Sequence, residues 1–268
     1  MPAEPTLDRD ALIAAVPEGG GLITNPNLRK LLGWDSDADE DRYFAARNAA
    51  EDAGVITRWK GRGGTVRRIV DVDEDADATA AVVDQPEVTA ALTRESQLYE
   101  PMREVIASDW AKDQRVTPVA VEVTAHGGSK ATGVWARPDI VCVEVQTFTH
   151  VPGRYLEVLT FEVKPADSIN VQAVYEALAH RRAATHAYVL LHVPDDRSAE
   201  LEPVIAEIAD VARGHQVGLI TAGDPGDYAT WEQREVAVRV EPDPGRLDAF
   251  IAQQLSQQAR TKIALAVR

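Results

Sequence analysis

Residues 155–164 read YLEVLTFEVK, and residues 136–145, one short connection earlier, read ARPDIVCVEV. Both runs are rich in β-branched residues, which predicts strands over 133–147 and 154–164. Side chains alternate between the two faces of a strand, so Glu162 and Lys164 share one face and Val163 takes the other. If the two strands pair as a hairpin, Asp139 and Glu162 converge near one end of the sheet. Two carboxylates at close range are costly unless something compensates them. A hard divalent cation with oxygen ligands does so. A lysine beside it can hold the attacking water, help to deprotonate it and stabilise developing negative charge.

The segments around this pair predict an α/β fold with a mixed sheet. Residues 88–107 read as a helix that Pro101 should kink or split. Val119, Val121 and Val123 alternate in a strand over 116–124, and Gly127-Gly128 turns the chain. A helix over 171–184 leads to HAYVLLHV at 186–193, an apolar run that suggests burial on both faces. Leu201, Ile205, Ile208 and Val211 form one stripe of a helix over 199–213. A core strand over 217–221, a tail strand over 235–240 and a helix over 246–255 complete the series.

The first 70 residues differ in character. Three helices are predicted over 7–16, 25–32 and about 37–52. Asn25-Pro26 provides a cap and first-turn proline, Ser36 or Asp37 another cap, and Gly54 a C-terminal stop. Gly61-Arg-Gly-Gly64 then joins two strands, 54–60 and 65–70. Residues 1–70 hold 10 Lys/Arg against 11 Asp/Glu, the remainder 18 against 32, and residues 55–70 contain five basic residues and no acid. Three short helices and a basic hairpin resemble a winged helix-turn-helix domain. The resemblance implies that Arg42 and Arg47 on the third helix, and Arg58, Lys60, Arg62, Arg67 and Arg68 on or near the wing, contact nucleic acid. A protein-interaction module with solvated charges is the alternative. The stretch DVDEDADATAAVVDQPE at 71–87 reads as an acidic linker, leaving 88–268 as the second domain.

The Pro138-Asp139 pair, the Glu162-Val163-Lys164 triplet on the next strand and the α-β-β-β-α-β order resemble the PD-(D/E)xK, or restriction-endonuclease-like, nuclease superfamily over residues 90–222. The resemblance implies Asp139, Glu162 and the Val163 backbone carbonyl as ligands of Mg²⁺, with Mn²⁺ able to substitute, and Lys164 as the catalytic lysine. It adds an acid from the preceding helix, for which Glu95 is the first choice and Glu100 the second. It also suggests Gln172 and Tyr175 as site residues, although Q-x-x-Y is one residue shorter than the Q-x-x-x-Y of the RecB-type branch. Ordinary readings stand beside these: a turn before a strand for Pro138-Asp139, and an exposed ion pair for Glu162 and Lys164.

The implied function is DNA endonuclease activity, by analogy in restriction or anti-phage defence, with the winged helix docking DNA. A catalytically silent DNA-binding regulator is a second possibility. A nuclease for RNA or for branched or transposon-end DNA is a third. A double-strand cut suggests a homodimer. The net charge of −15 argues against a chain that coats nucleic acid non-specifically. The histidines show no zinc spacing, and no G-x-x-x-x-G-K-[ST] loop indicates a nucleotide cofactor. His180, Arg181 and Arg182 read as favourable charge at a helix C-terminus, with contact to a phosphate as the alternative. The single cysteine, Cys142, falls in an apolar run, which predicts a core thiol and fits a reducing cytoplasm. Neither a secretory leader nor a membrane span is expected.

Overall fold

A computed structural model describes residues 5–18, 21–59, 64–69, 95–125 and 137–268. By internal contacts the chain divides into one unit of residues 1–88 with 229–232 and a second of 89–228 with 233–268.

In the first unit, helices α1 (Pro5–Ala15), α2 (Asn25–Leu32) and α3 (Glu40–Asp52) accompany strands β1 (Ile23–Thr24), β2 (Ile56–Trp59) and β3 (Thr65–Arg68). The sheet is antiparallel in the order β1-β3-β2. Leu12, Leu28, Tyr43, Ala46, Ala50, Ile56 and Val66 form its core. The short strand β1 was not expected. The cap of α2 is Thr24, whose side chain accepts the Asn27 N–H, and not Asn25. Asn25 is buried, and its Oδ1 accepts from Tyr43 OH at 2.7 Å, so tertiary packing takes the side chain that local sequence offered as a cap. The start of α3 likewise moves to Asp39, beyond Ser36 and Asp37. Gly54 follows α3 with φ +68°, where a side chain is disfavoured. Residues 61–63 of the expected hairpin loop at 61–64, and the expected acidic linker at 71–87, lie outside the described residues.

The second unit begins with α4 (Glu95–Val105), a π-helical stretch (Ile106–Trp110) and α5 (Ala111–Gln114). Pro101 lies inside α4 and does not split it. It removes one backbone donor, while Leu98, Met102, Val105 and Ile106 stay buried along the same helix face and hold it together. Strands β4 (Pro118–Val123), β5 (Ile140–Gln146) and β6 (Tyr155–Lys164) follow. Then come α6 (Gln172–His180), β7 (His186–His192), α7 (Ser198–His215), β8 (Gly218–Ala222), β9 (Trp231–Glu235, whose first two residues the division by contacts counts with the first unit), α8 (Pro244–Gln254) and α9 (Gln257–Ala266). The strands form a mixed sheet in the order β4-β5-β6-β7-β8-β9, antiparallel from β4 to β6 and parallel from β6 to β8. The protein is therefore mixed α/β, with a six-stranded and a three-stranded sheet.

Both faces of β7 are covered. Ala187, Val189 and Leu191 pack with α6 and α7. Tyr188 stacks on Phe161 and meets the edge of Trp110 on the opposite face. Cys142 is fully buried, as a core thiol should be. Among the described residues no helix is long and apolar enough to cross a membrane.

Two boundaries moved for tertiary reasons. Helix α6 ends at His180, and Thr185, just before β7, is held by its hydroxyl, which accepts from Val158 N and donates to Val158 O. The tail strand lies at Trp231–Glu235 instead of 235–240. Beyond it, Val238 N bonds to Gln216 O and Val240 N to Thr185 O, outside any ladder. The second C-terminal helix, α9, was not expected. Its N-cap is Ser256, whose backbone N–H and hydroxyl both donate to Glu122 of β4.

Candidate active site

The site lies where the ladder between β5 and β6 runs out. Ile140 pairs with Phe161, and the Asp139 N–H donates to Phe161 O at 3.0 Å. β5 begins at Ile140 while β6 continues to Lys164, so the Val163 N–H on the β5 side has no strand partner. Asp139 Oδ2 accepts it at 2.8 Å. A buried carboxylate thus stands beside Glu162, the residue opposite it by continuation of the register. Asp139 is 6% exposed and Glu162 4%.

Alternation along β6 places Glu162 and Lys164 on the face that carries α6, and Val163 in the core on the other. Lys164 Nζ donates to Glu162 Oε1 at 2.6 Å. Helix α6 adds residues one turn apart. Glu176 Oε2 is 2.8 Å from Lys164 Nζ, and His180 Nε2 is 3.8 Å from Glu162 Oε2. Gln172 Nε2 donates to Glu176 Oε1 at 2.9 Å. From α4, Tyr99 OH donates to Glu95 Oε1 at 2.5 Å and also lies against Asp139.

Asp139, Glu162, Lys164 and, through Tyr99, Glu95 are therefore brought together. Gln172 is exposed and touches Glu176, not the paired acids. Tyr175 is 51% exposed and packs edge-on against His215. Glu100 is exposed and pairs with Arg103. Sequence reading missed Tyr99 and Glu176, and read His180 first as charge at its helix end and second as a phosphate contact, not as a neighbour of Glu162. The available signal was helical spacing: Tyr99 is four residues after Glu95, and Glu176 four after Gln172.

Burial pushes the Asp139 carboxyl up to about 6, against the Val163 N–H that favours its charged form, and the nearby Glu95 adds to the rise. Burial and then the charge of Asp139 push Glu162 up, while the Lys164 ammonium pulls it back. Burial opposes the charge on Lys164, but Glu162 and Glu176 outweigh it and hold the ammonium above its ordinary value. Burial and the neighbouring acids keep the Tyr99 phenol protonated and hence a donor.

A carboxyl held above its ordinary value binds more protons folded than unfolded, so this group's share of stability falls as pH rises through the window from 3.8 to about 6. In EDTA, urea denaturation of the wild type should show that decline, on the order of 1–3 kcal/mol across the window. Asp139→Asn should flatten it; an unaltered slope in that variant would count against the assignment.

The donor set suits a hard cation in its chemistry: two buried carboxylates and a strand-edge carbonyl, with Glu162 Oε2 lacking a hydrogen-bond partner among the described residues. Among those residues, however, no three His, Cys, Asp or Glu are already grouped to hold a metal ion. In this arrangement the lysine compensates the Glu162 and Glu176 charges. Asp139, Glu162 and the Val163 carbonyl could hold a cation once Glu162 turns from Lys164.

The expected nucleic-acid contacts fare differently. Arg47 is fully buried, with its guanidinium over the Phe44 ring, and is not a surface cation; α3 turns that position into the core. Arg42 makes a bidentate pair with Asp8 and lies over Trp34, and Arg58 pairs with Glu51. Arg68 donates to Val16 O and Ile13 O, closing the end of α1. Arg67 is half-buried on β3, whereas Lys60 and Arg62 lie outside the described residues. Comparisons with protein-family models, with curated proteins and with solved structures found no match.

Proposed function

We propose that the second unit is a Mg²⁺-dependent nuclease of the PD-(D/E)xK, restriction-endonuclease-like kind, hydrolysing phosphodiester bonds in DNA. The observation that carries this reading is the junction of Asp139 and Glu162 at one end of the sheet with Lys164 on the Glu162 face. Asp139, Glu162 and the Val163 carbonyl are the groups to hold the cation, with Glu95 approaching through Tyr99. When bound, Mg²⁺ would supply Lewis-acid activation of water and neutralise charge on the phosphate. Lys164 would orient the attacking water and stabilise negative charge in the transition state.

The first unit, on this reading, is a winged helix-turn-helix that docks DNA. Its support is the basic, acid-free segment 55–70. On α3, Arg42 pairs with Asp8 and Arg47 is buried, which disfavours base reading by that helix; on the hairpin, Arg58 and Arg68 serve internal partners, so phosphate contact there falls to Arg67 with Lys60 and Arg62. A role in restriction or anti-phage defence, and a homodimer for double-strand cutting, follow only by analogy.

One observation favours a catalytically silent regulator: Lys164 is closed between two carboxylates, as in a structural ion cluster. The discriminating experiment incubates the protein with supercoiled plasmid, linear duplex, branched DNA, single-stranded DNA and RNA, in Mg²⁺, Mn²⁺ or EDTA. Cleavage of duplex DNA in either metal and none in EDTA is expected. Cleavage confined to RNA or branched DNA would change the substrate class. Intact DNA binding without cleavage of any substrate would favour the regulator.

A further inference from the structure

The Lys164 ammonium serves two anions at once, 2.6 Å from Glu162 Oε1 and 2.8 Å from Glu176 Oε2. The two anchors differ in origin. Glu162 lies two residues away on β6, whereas Glu176 projects from α6. If Glu162 turns its carboxylate to a cation, a lysine anchored by Glu162 alone loses its position at the moment it is needed. A long, flexible stem holds one rotamer only against a substantial entropy cost, so a second fixed partner matters. Glu176 is itself held. Gln172 Nε2 occupies its other oxygen at 2.9 Å, and the Gln172 backbone N–H is taken by Asn170 Oδ1 at 2.8 Å. Residues 172 and 176 stand one helical turn apart, which lets the amide reach the carboxylate without leaving the helix.

We propose that Glu176, oriented by Gln172, is the positioning residue that keeps the Lys164 ammonium at this end of the sheet when Glu162 turns to another partner. Gln172 then acts through Glu176 and touches neither substrate nor cation. The catalytic consequence rests on the nuclease reading of the same site, but the positioning is observable without any activity.

The chain has six lysines, so their ammonium groups are few enough to separate in a ¹H–¹⁵N correlation spectrum. A doubly paired, largely buried ammonium exchanges slowly with water and gives a signal, assigned here by its loss in Lys164→Arg. Glu176→Gln, which keeps shape and removes charge, should erase or broaden that signal in the full-length protein; Gln172→Ala should weaken it. In Mg²⁺-dependent plasmid cleavage Glu176→Gln should lower kcat roughly 10–100-fold with KM unchanged, the scale of losing an outer-shell partner. Glu176→Asp, which restores the charge, should recover part of that loss. A Lys164 signal absent from the wild type, or unaltered in both Glu176→Gln and Gln172→Ala, overturns the proposal. A signal lost in Glu176→Gln with no cleavage by the wild type supports the positioning and overturns the nuclease reading alone.

Discussion

Lys164→Ala is expected to abolish phosphodiester cleavage while the second unit remains folded. The ammonium donates to Glu162 Oε1 at 2.6 Å and, on the proposed nuclease reading, would be the group that stabilises charge on a reacting phosphate. Loss of one such preorganised group costs about 10²–10³ in rate, and loss of water orientation adds to that. Folding should survive because Glu162, already pushed up by burial and Asp139, can take a proton once its partner is gone. Lys164→Arg should not rescue activity, since a planar fork does not replace a compact ammonium between two carboxylates. The measurement is the initial rate of plasmid nicking, with circular dichroism as the folding control. A folded variant that keeps more than a tenth of the wild-type rate would remove Lys164 from the chemistry.

The largest expected effect on stability comes from Gly218→Ala. Gly218 begins β8 beside Tyr188 of β7 in parallel register. An added Cβ would lie 2.3 Å from Tyr188 Cδ1, 2.6 Å from Cε1 and 3.1 Å from the Ala237 Cβ. The ring has little room to retreat. It stacks on Phe161 at 5.0 Å between centroids and meets Trp110 at 5.6 Å, so moving it disturbs three aromatic side chains together. Overpacking of this kind costs about 1–3 kcal/mol or more, and each kcal/mol lowers the melting temperature of a unit this size by roughly 2–4 °C. Tyr188→Leu in the same chain should relieve part of the loss by vacating the space. A Gly218→Ala protein that melts with the wild type would show that the ring relocates freely.

Much of the second unit was legible in the order of its residues, because strand alternation and helix periodicity belong to a single segment. YLEVLTFEVK carries its own statement that Glu162 and Lys164 share a face. HAYVLLHV announces a doubly covered strand, and β7 is one. The α-β-β-β-α-β order followed from the same patterns.

What only the tertiary structure decided is partnership. Pro101 carries a local penalty, yet the buried face of α4 outweighs it. Arg47 reads as a surface cation until α3 turns it inward. Tyr99 and Glu176 bear no motif and joined the site because α4 and α6 happen to pass its two sides. Periodicity determines which face of a segment a side chain takes, but the group waiting on that face comes from residues distant in sequence, and only chain packing brings it there.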